Sequence, residues 1–426
     1  MLTSCVLAVA ADWPQWRGPD RSGASKETGL LQKWPKDGPE LAWTFENAGT
    51  GFGSCAVVGG RVYVLGARPA DADGEKRIEQ IIALDDKGRE IWKADVGPMW
   101  YFGGNRWSGG PNSTPSVDGD LVFALGSQGT VVCVKAADGA EIWRKDLVKE
   151  FGAEISSGGF GPAKMGWGFS WSPLVDGDRL ICTPGGAKGL FVALNKTSGK
   201  VVWQSAALTD PCTYSSPVVA EVGGVRQYIA MTQTGVVGVS AKDGSTLWEY
   251  RRDNPYPDVV CPTPICKDDL VYVSAWKAGC TLLKLAPDGG KFKAEVVYDK
   301  KEIGNAHGGL VRVDKSVYGG HDLGPWECQD FETGAIRWKS DALGSGSLIY
   351  ADGCLYCQAA DGEVALLAAS PDGYKELGRF KPPKRSAHRR PSGKVWTHPV
   401  VSDGRLYVRD QELLFCYDIK GGGASR

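Results

Sequence analysis

Histidine is scarce in this chain: there are four residues in 426. His307, His321, His388 and His398 form no i,i+2 or i,i+4 pair, so the spacing that grips zinc from one strand or helix is missing. A charge excess of either sign is missing too. Lys+Arg 49 against Asp+Glu 50 leaves a net charge of −1. That excludes the basic surplus with which nucleic-acid binders displace counterions from phosphates. No apolar run approaches the roughly 18 residues that a membrane span needs. No two cysteines are adjacent, and no CxxCH haem-attachment sequence occurs. What the chain has in plenty is glycine, 58, and tryptophan, 16. Glycine turns with regularly placed aromatics point to an all-β repeat rather than to helices.

The repeat is visible as a decamer. LNKTSGKVVW ends at Trp203, and close variants end at Trp92, Trp143, Trp248 and Trp338. Each reads as a short strand, an Asp/Thr-x-Gly or Asp-Gly turn, and a second strand closing on an aromatic. The glycine supplies the positive φ of the turn. A further hairpin precedes each decamer, as in TPSVDGDLVFAL and SPLVDGDRLICT, so one unit holds four short strands, A to D. The closing aromatics are Trp43, Trp92, Trp143, Trp203, Trp248, Tyr298, Trp338 and Phe380, spaced 40 to 60 residues apart. That is the period of a propeller blade. Eight A–B hairpins, beginning near Ser54, Thr114, Ser172, Ser216, Thr263, Gly308, Gly346 and His398, agree with the count.

The two ends predict how the ring shuts. LAWTF (41–45) is a D strand with no A to C before it, and LLFCYDIK (413–420) is a C strand with no D after it. Pairing them completes an eighth blade and removes the free blade edges. The expectation is therefore an eight-bladed β-propeller over 41–420, an N-terminal extension over 12–40 and a disordered tail over 421–426. The aromatics are expected to wedge between blades.

Six residues before the turn glycine stand Cys133, Ala193, Gly238 and Cys328, so cysteine shares a slot with the smallest residues and reads as a core thiol. Cys354 and Cys357 have CxxC spacing, but three residues apart on a strand they point to opposite faces, which disfavours a zinc knuckle.

The pattern A/C-L-D/N-x-x-T/D-G-x-x-x-W resembles the tryptophan-docking repeat of the pyrroloquinoline quinone (PQQ) propeller superfamily. That group spans the quinoprotein alcohol dehydrogenases and the non-enzymatic BamB lipoproteins. DWPQWRGPDRSG (12–23) is similar to the opening of exported PQQ-like proteins of planctomycete-type bacteria. WD-type propellers are the rival, but no Gly-His…Trp-Asp pairing occurs. In the dehydrogenases the quinone stacks between a tryptophan and a disulfide of adjacent cysteines, calcium is held by Glu, Asn and Asp, and an Asp serves as base. None of these sets can be assigned here by motif, so the resemblance lies in the repeat and not in the active site. No catalytic residue, metal ligand or cofactor is expected. The first expectation is a non-catalytic, monomeric scaffold for a protein or cell-envelope partner. The alternative is a PQQ- and calcium-dependent dehydrogenase acting on an alcohol or sugar.

Any small-molecule site is expected at the channel mouth, where loops lead from strand D into the next A strand. Candidates are Arg106, Trp107, Trp167, Tyr214, Asn305, His307, Trp396 and His398, a ring of aromatics with one Arg and two His suited to a planar or anionic ligand. The same rings could instead only plug and stiffen the channel. His307 stands where other blades carry Ser/Thr-Pro, which makes it a candidate outside the needs of the repeat. KPPKRSAHRRPSGK (381–394), with six Lys/Arg and no acid, reads as a mobile solvated loop, or as a guard of the mouth for acidic partners. DADG (71–74) and the VDGD segments at 117–120 and 175–178 read as hairpin turns rather than calcium loops. Residues 1–11 carry a short apolar core and an Ala8-Val9-Ala10 cleavage pattern without a basic start. They read as the tail of an export signal, giving a periplasmic or otherwise exported protein. Leu2-Thr3-Ser4-Cys5 resembles a lipoprotein box placed too near Met1 to act, which leaves a lipid anchor unsupported.

Overall fold

The structure is a computed structural model and describes residues 11–69, 76–100, 109–155, 166–257, 259–307, 309–320 and 324–421. Its strands form eight four-stranded antiparallel sheets, seven of them built from consecutive strands. Blade 1 runs from Cys55 to Pro98, blade 2 from Ser116 to Asp146, blade 3 from Leu174 to Gln204 and blade 4 from Val218 to Arg251. Blade 5 runs from Ile265 to Lys300, blade 6 from Leu310 to Ser340 and blade 7 from Gly346 to Phe380. Blade 8 takes strands A to C from Val400–Ser402, Arg405–Asp410 and Leu413–Asp418, and strand D from Glu40–Phe45. Leu41 faces Tyr417 and Trp43 faces Cys416 in that closing pair. The ring is thus an eight-bladed propeller shut by its two chain ends, as the unpaired D and C strands predict. Among the described residues no helix is long and apolar enough to cross a membrane.

The decamer works as a joint between blades. In five blades the ring of the D-strand aromatic lies on the turn glycine of the next: Trp43 on Gly88, Trp92 on Gly139, Trp143 on Gly199, Trp203 on Gly244 and Tyr298 on Gly334. All five glycines have φ between +66° and +76°, and a Cβ on any of them would come within 3.0 Å of the ring. Glycine is required twice over there, by backbone and by contact. The indole N–H then reaches a carbonyl on the neighbour: Trp92 Nε1 donates to Ala136 O at 3.0 Å, Trp143 to Lys196 O at 2.9 Å and Trp338 to Ser370 O at 2.9 Å. Trp248 differs, donating to Gln227 Oε1 of its own blade.

The small slot has its explanation in register. Ala83, Cys133, Ala193, Gly238, Cys328 and Cys416 lie directly across from the docking tryptophans of their own sheets. A larger side chain would collide with the indole beside it. Cys354 and Cys357 fall in two different apolar clusters on the two faces of their strand, as alternation requires. The eleven described cysteines form no disulfide. Burial pushes thiols such as Cys55 and Cys133 up to about 12, so they are core groups rather than nucleophiles.

Phe380 departs from the expected pattern. It faces Val364, two residues beyond the slot, while Gly378 faces Leu366 in the position the tryptophans occupy. Trp34 of the N-terminal extension packs against Gly378 instead, with its ring 5.3 Å from Phe380. Phe380 in turn lies on Gly38. At the blade 7–8 joint the extension thus supplies what the repeat supplies elsewhere.

The loop 381–394 is not a free solvated segment. Arg389 forms a bidentate ion pair with Asp410 at 2.7 and 2.9 Å, with side-chain exposures of only 5% and 6%. Ser386 N donates to Asp410 and its hydroxyl to Glu412. The acids that fix the loop lie on the B strand and B–C turn of blade 8, outside the loop's own composition. The VDGD segments are hairpin turns, as expected, and Asp118 and Asp176 pair with Lys196 and Arg226 of the following blades. DADG lies outside the described residues.

Candidate functional site

The site is built on the first residues of the A strands. Around the channel the hydroxyls of the Ser/Thr-Pro pairs form a chain from blade to blade. Ser54 N donates to Thr114 Oγ1 at 3.1 Å, Thr114 N to Ser172 Oγ at 2.9 Å, and Ser172 N to Ser216 Oγ at 2.9 Å. Ser54 Oγ closes back on His398 O at 2.7 Å. The hydroxyls of Thr114, Ser172 and Ser216 thus each satisfy an N–H that would otherwise be buried unpaired.

The N-terminal extension enters this channel. Trp13 exchanges two backbone bonds with Val57 of blade 1, and Val117 N of blade 2 donates to Pro14 O. Trp16 Nε1 donates to Thr263 Oγ1 of blade 5 at 3.0 Å. Arg21 Nη1 donates to Ser172 O at 3.1 Å and Pro217 O at 2.8 Å, and Nη2 to Pro173 O, joining blades 3 and 4. Arg17 Nη2 donates to Leu310 O of blade 6, and residues 23–25 exchange bonds with Tyr350 of blade 7. Glu27 accepts from the A–B turn of blade 8 at Asp403 N and Gly404 N. One short segment therefore touches every blade. Burial holds the Arg17 and Arg21 guanidiniums below the usual arginine range, at about 10 and about 9.

Above this plug lies a cavity of about 110 Å³, floored by Trp16 and walled by Phe52, Trp167, Tyr214, His307, Trp396 and His398, with Asn112, Val259 and Cys261 between them. The His307 ring stacks on Trp396 at 4.7 Å and 17°, and Phe52 meets Trp396 at 5.3 Å. Trp167 and Tyr214 meet edge to face at 6.1 Å. His398 Nε2 pairs with His307 O at 3.1 Å, and its ring lies 4.6 Å from that of Trp16.

Five of the eight sequence candidates, Trp167, Tyr214, His307, Trp396 and His398, thus line one cavity. Asn305 does not. It is wholly buried, donating to Gly309 O and Gly320 O and accepting from Gly309 N, and so ties down the loop that carries His307. Arg106 and Trp107 lie outside the described residues. His398 is not a cation: burial, then the nearby Arg17 charge, push it down to about 3. The second imidazolium expected for an anionic ligand is therefore lost. Sequence reading missed Trp16, Arg17 and Arg21, whose partners lie on blades 3, 4, 5 and 6. The one signal was a run of Trp and Arg belonging to no blade.

The donor set does not match the quinone and calcium of the dehydrogenases. No carboxylate lies among the described lining residues, whereas calcium takes six to eight oxygens, mostly from carboxylates and carbonyls. Cys261 is the single cysteine among the described lining residues, whereas the quinone of the dehydrogenases stacks on a disulfide of two adjacent ones. No group of three or more His, Cys, Asp or Glu that could hold a metal occurs among the described residues.

A family model described as outer membrane protein assembly factor BamB matches residues 77–340. The chain is 22% identical over 287 residues, 60% of it and 70% of the relative, to outer membrane protein assembly factor BamB of Burkholderia pseudomallei. Among solved structures, BamB from Moraxella catarrhalis superposes with TM-score 0.61 at 14% identity, covering 89% of this chain and all of that one. Quinohemoprotein alcohol dehydrogenase from Comamonas testosteroni gives 0.63 at 14%, covering 97% and 81%. These structural likenesses establish the shared fold. With the repeat matched over more than half its length, the chain belongs to the PQQ-like repeat family described by the BamB model.

Proposed function

We propose that this protein is a non-catalytic scaffold of the cell envelope that binds a protein partner as a single ring. The observation that carries the reading is the channel mouth. Its cavity is closed beneath by the chain's own N-terminal segment, is walled by aromatic rings, and carries no acid among its described lining residues. At about 110 Å³ it is also smaller than the roughly 300–1,000 Å³ of ordinary small-molecule pockets. Membership of a family named for an outer-membrane assembly factor supports the same direction. The outer strands offer contact surface: Val201 and Val202 of blade 3 and Val296 and Val297 of blade 5 are 44–51% exposed beside their docking aromatics. Strand edges of this kind accept an added strand or an apolar face. Export to the envelope belongs to this proposal and rests on the sequence at the N-terminus.

Incubation with PQQ and calcium, followed by equilibrium dialysis and dye reduction against alcohols and sugars, tests the first half. The expected result is no retained quinone and no turnover, and saturable turnover would establish the dehydrogenase reading instead. For the second half, an envelope protein recovered on the immobilised chain must rebind as a purified component, and failure of every such component to rebind would remove the scaffold.

A further inference from the structure

Glu27 is the only buried acid of the 12–40 extension, with 4% of its surface exposed. Its carboxylate accepts from three backbone nitrogens: Asp403 N, Gly404 N at 2.7 Å and Ala11 N at 3.4 Å. No ion pair of the described residues includes it. The charge acting on it is that of another acid, Asp403, which itself faces Lys420 Nζ at 3.7 Å. Burial, and then that charge, raise the Glu27 carboxyl above its ordinary range, although the backbone bonds pull it down. A buried carboxylate with no cation beside it is costly.

The sequence places a cation within reach. Ala11 directly follows Ala8-Val9-Ala10, which sets small residues first and third before the Ala10–Ala11 bond, the pattern at which export signals are cut. Residues 1–10 lie outside the described residues. Ala11 itself is held from the other side: Ser402 Oγ of blade 8 donates to Ala11 O at 2.8 Å. On blade 1, Gly59 N donates to Asp12 Oδ1 at 3.0 Å, and Trp13 pairs with Val57. These contacts fix the Ala11 nitrogen at Glu27 without using any residue before it. As an amide it offers one neutral N–H at a long distance, whereas an α-ammonium offers three donors and a full charge.

We propose that the Ala10–Ala11 bond is hydrolysed during export and that the α-ammonium released on Ala11 pairs with Glu27. Water adds across the peptide bond: its oxygen goes to the Ala10 carbonyl carbon, which leaves as a carboxylate, and its protons end on the Ala11 nitrogen. The catalyst is the endopeptidase class that removes export signals. A cut one residue later would discard both the Glu27 contact and the Ser402 bond, so the geometry selects this bond over its neighbour. The inference rests on the export part of the proposed function.

Treatment of the full chain with a purified bacterial signal peptidase in detergent, followed by N-terminal sequencing, tests the cut. The expected product begins Ala11-Asp12-Trp13, and a start at Asp12 or elsewhere, or no cut, would overturn the site. Fractionation of cells expressing the full chain separates this from export. An uncut chain in the cytoplasm removes the export reading and this inference with it, whereas an envelope chain starting at another residue removes the cut site alone. Trace acetylation of the cut chain at pH 7 tests the pair. Held as an ammonium by Glu27, the α-amine is expected to react roughly tenfold more slowly than in Glu27→Gln. Should that variant fail to fold, a chain with one glycine added before Ala11, whose amine lies a residue away from Glu27, is expected to show the faster rate. Equal rates with and without the Glu27 contact would overturn the pair.

Discussion

At the rim, Trp143 rests on one glycine and reaches one carbonyl of the next blade, and close copies of that joint recur around the ring. In the channel, Arg21 reaches three carbonyls on two blades from a segment with no counterpart in the chain. The rim spreads its stabilisation over many equivalent contacts, so losing one leaves the rest in place. The channel concentrates it in a few buried cations whose removal strands several carbonyls together. Repetition gives tolerance, whereas a unique central contact gives closure and is correspondingly fragile.

Arg21→Ala should therefore cost most. It leaves three buried carbonyls without a donor, at about 1–3 kcal/mol each, for a total loss above about 3 kcal/mol in urea unfolding. A loss below 1 kcal/mol would dissolve the contrast. Trp143→Ala, which empties one rim joint, should cost about 3 kcal/mol. Trp43→Ala should cost about half that, because Trp43 is only partly buried and its joint is the closing one. Equal losses from the two would show that exposure does not grade the joints.

A further effect depends on pH. Glu79 of blade 1 is wholly buried, accepting from Ser127 N at 2.8 Å and from Ser127 Oγ. Burial raises its carboxyl to about 7, against the pull of the Ser127 bonds. The folded state then holds a proton that the unfolded state releases near 4.5, so this contribution is full below that pH and is lost as pH climbs to about 7. The loss should be roughly 2–3 kcal/mol between those limits. Glu79→Gln, which mimics the protonated form, should flatten that part of the stability–pH curve, and an unchanged slope would remove Glu79 as its source.

The rim was legible because its information is local and repeated: a turn glycine, a small residue and a tryptophan at fixed spacing. Phe380 misled because the slot in its blade holds Gly378, and the filling side chain, Trp34, comes from the other end of the chain. The basic loop misled for a related reason, since composition shows six cations but not the carboxylates of Asp410 and Glu412 waiting on blade 8. At the mouth, the loop positions named most of the walls. They could not show the floor, because Trp16 reaches it only once the ring exists. Nor could they show that His398 is buried enough to stay neutral, which depends on Arg17 arriving from the same plug.

The plug also orders events in time. Trp16 and Glu27 belong to the earliest part of the described chain, yet each has a partner at blade 8, near its other end. During synthesis Trp13 can pair with Val57 once blade 1 exists, but Trp16 and Glu27 meet His398 and the Asp403–Gly404 turn only when the last blade arrives. This N-terminal segment thus completes its docking among the last. A chain halted before residue 400 should remain an unlatched arc, open to proteases at its leading end.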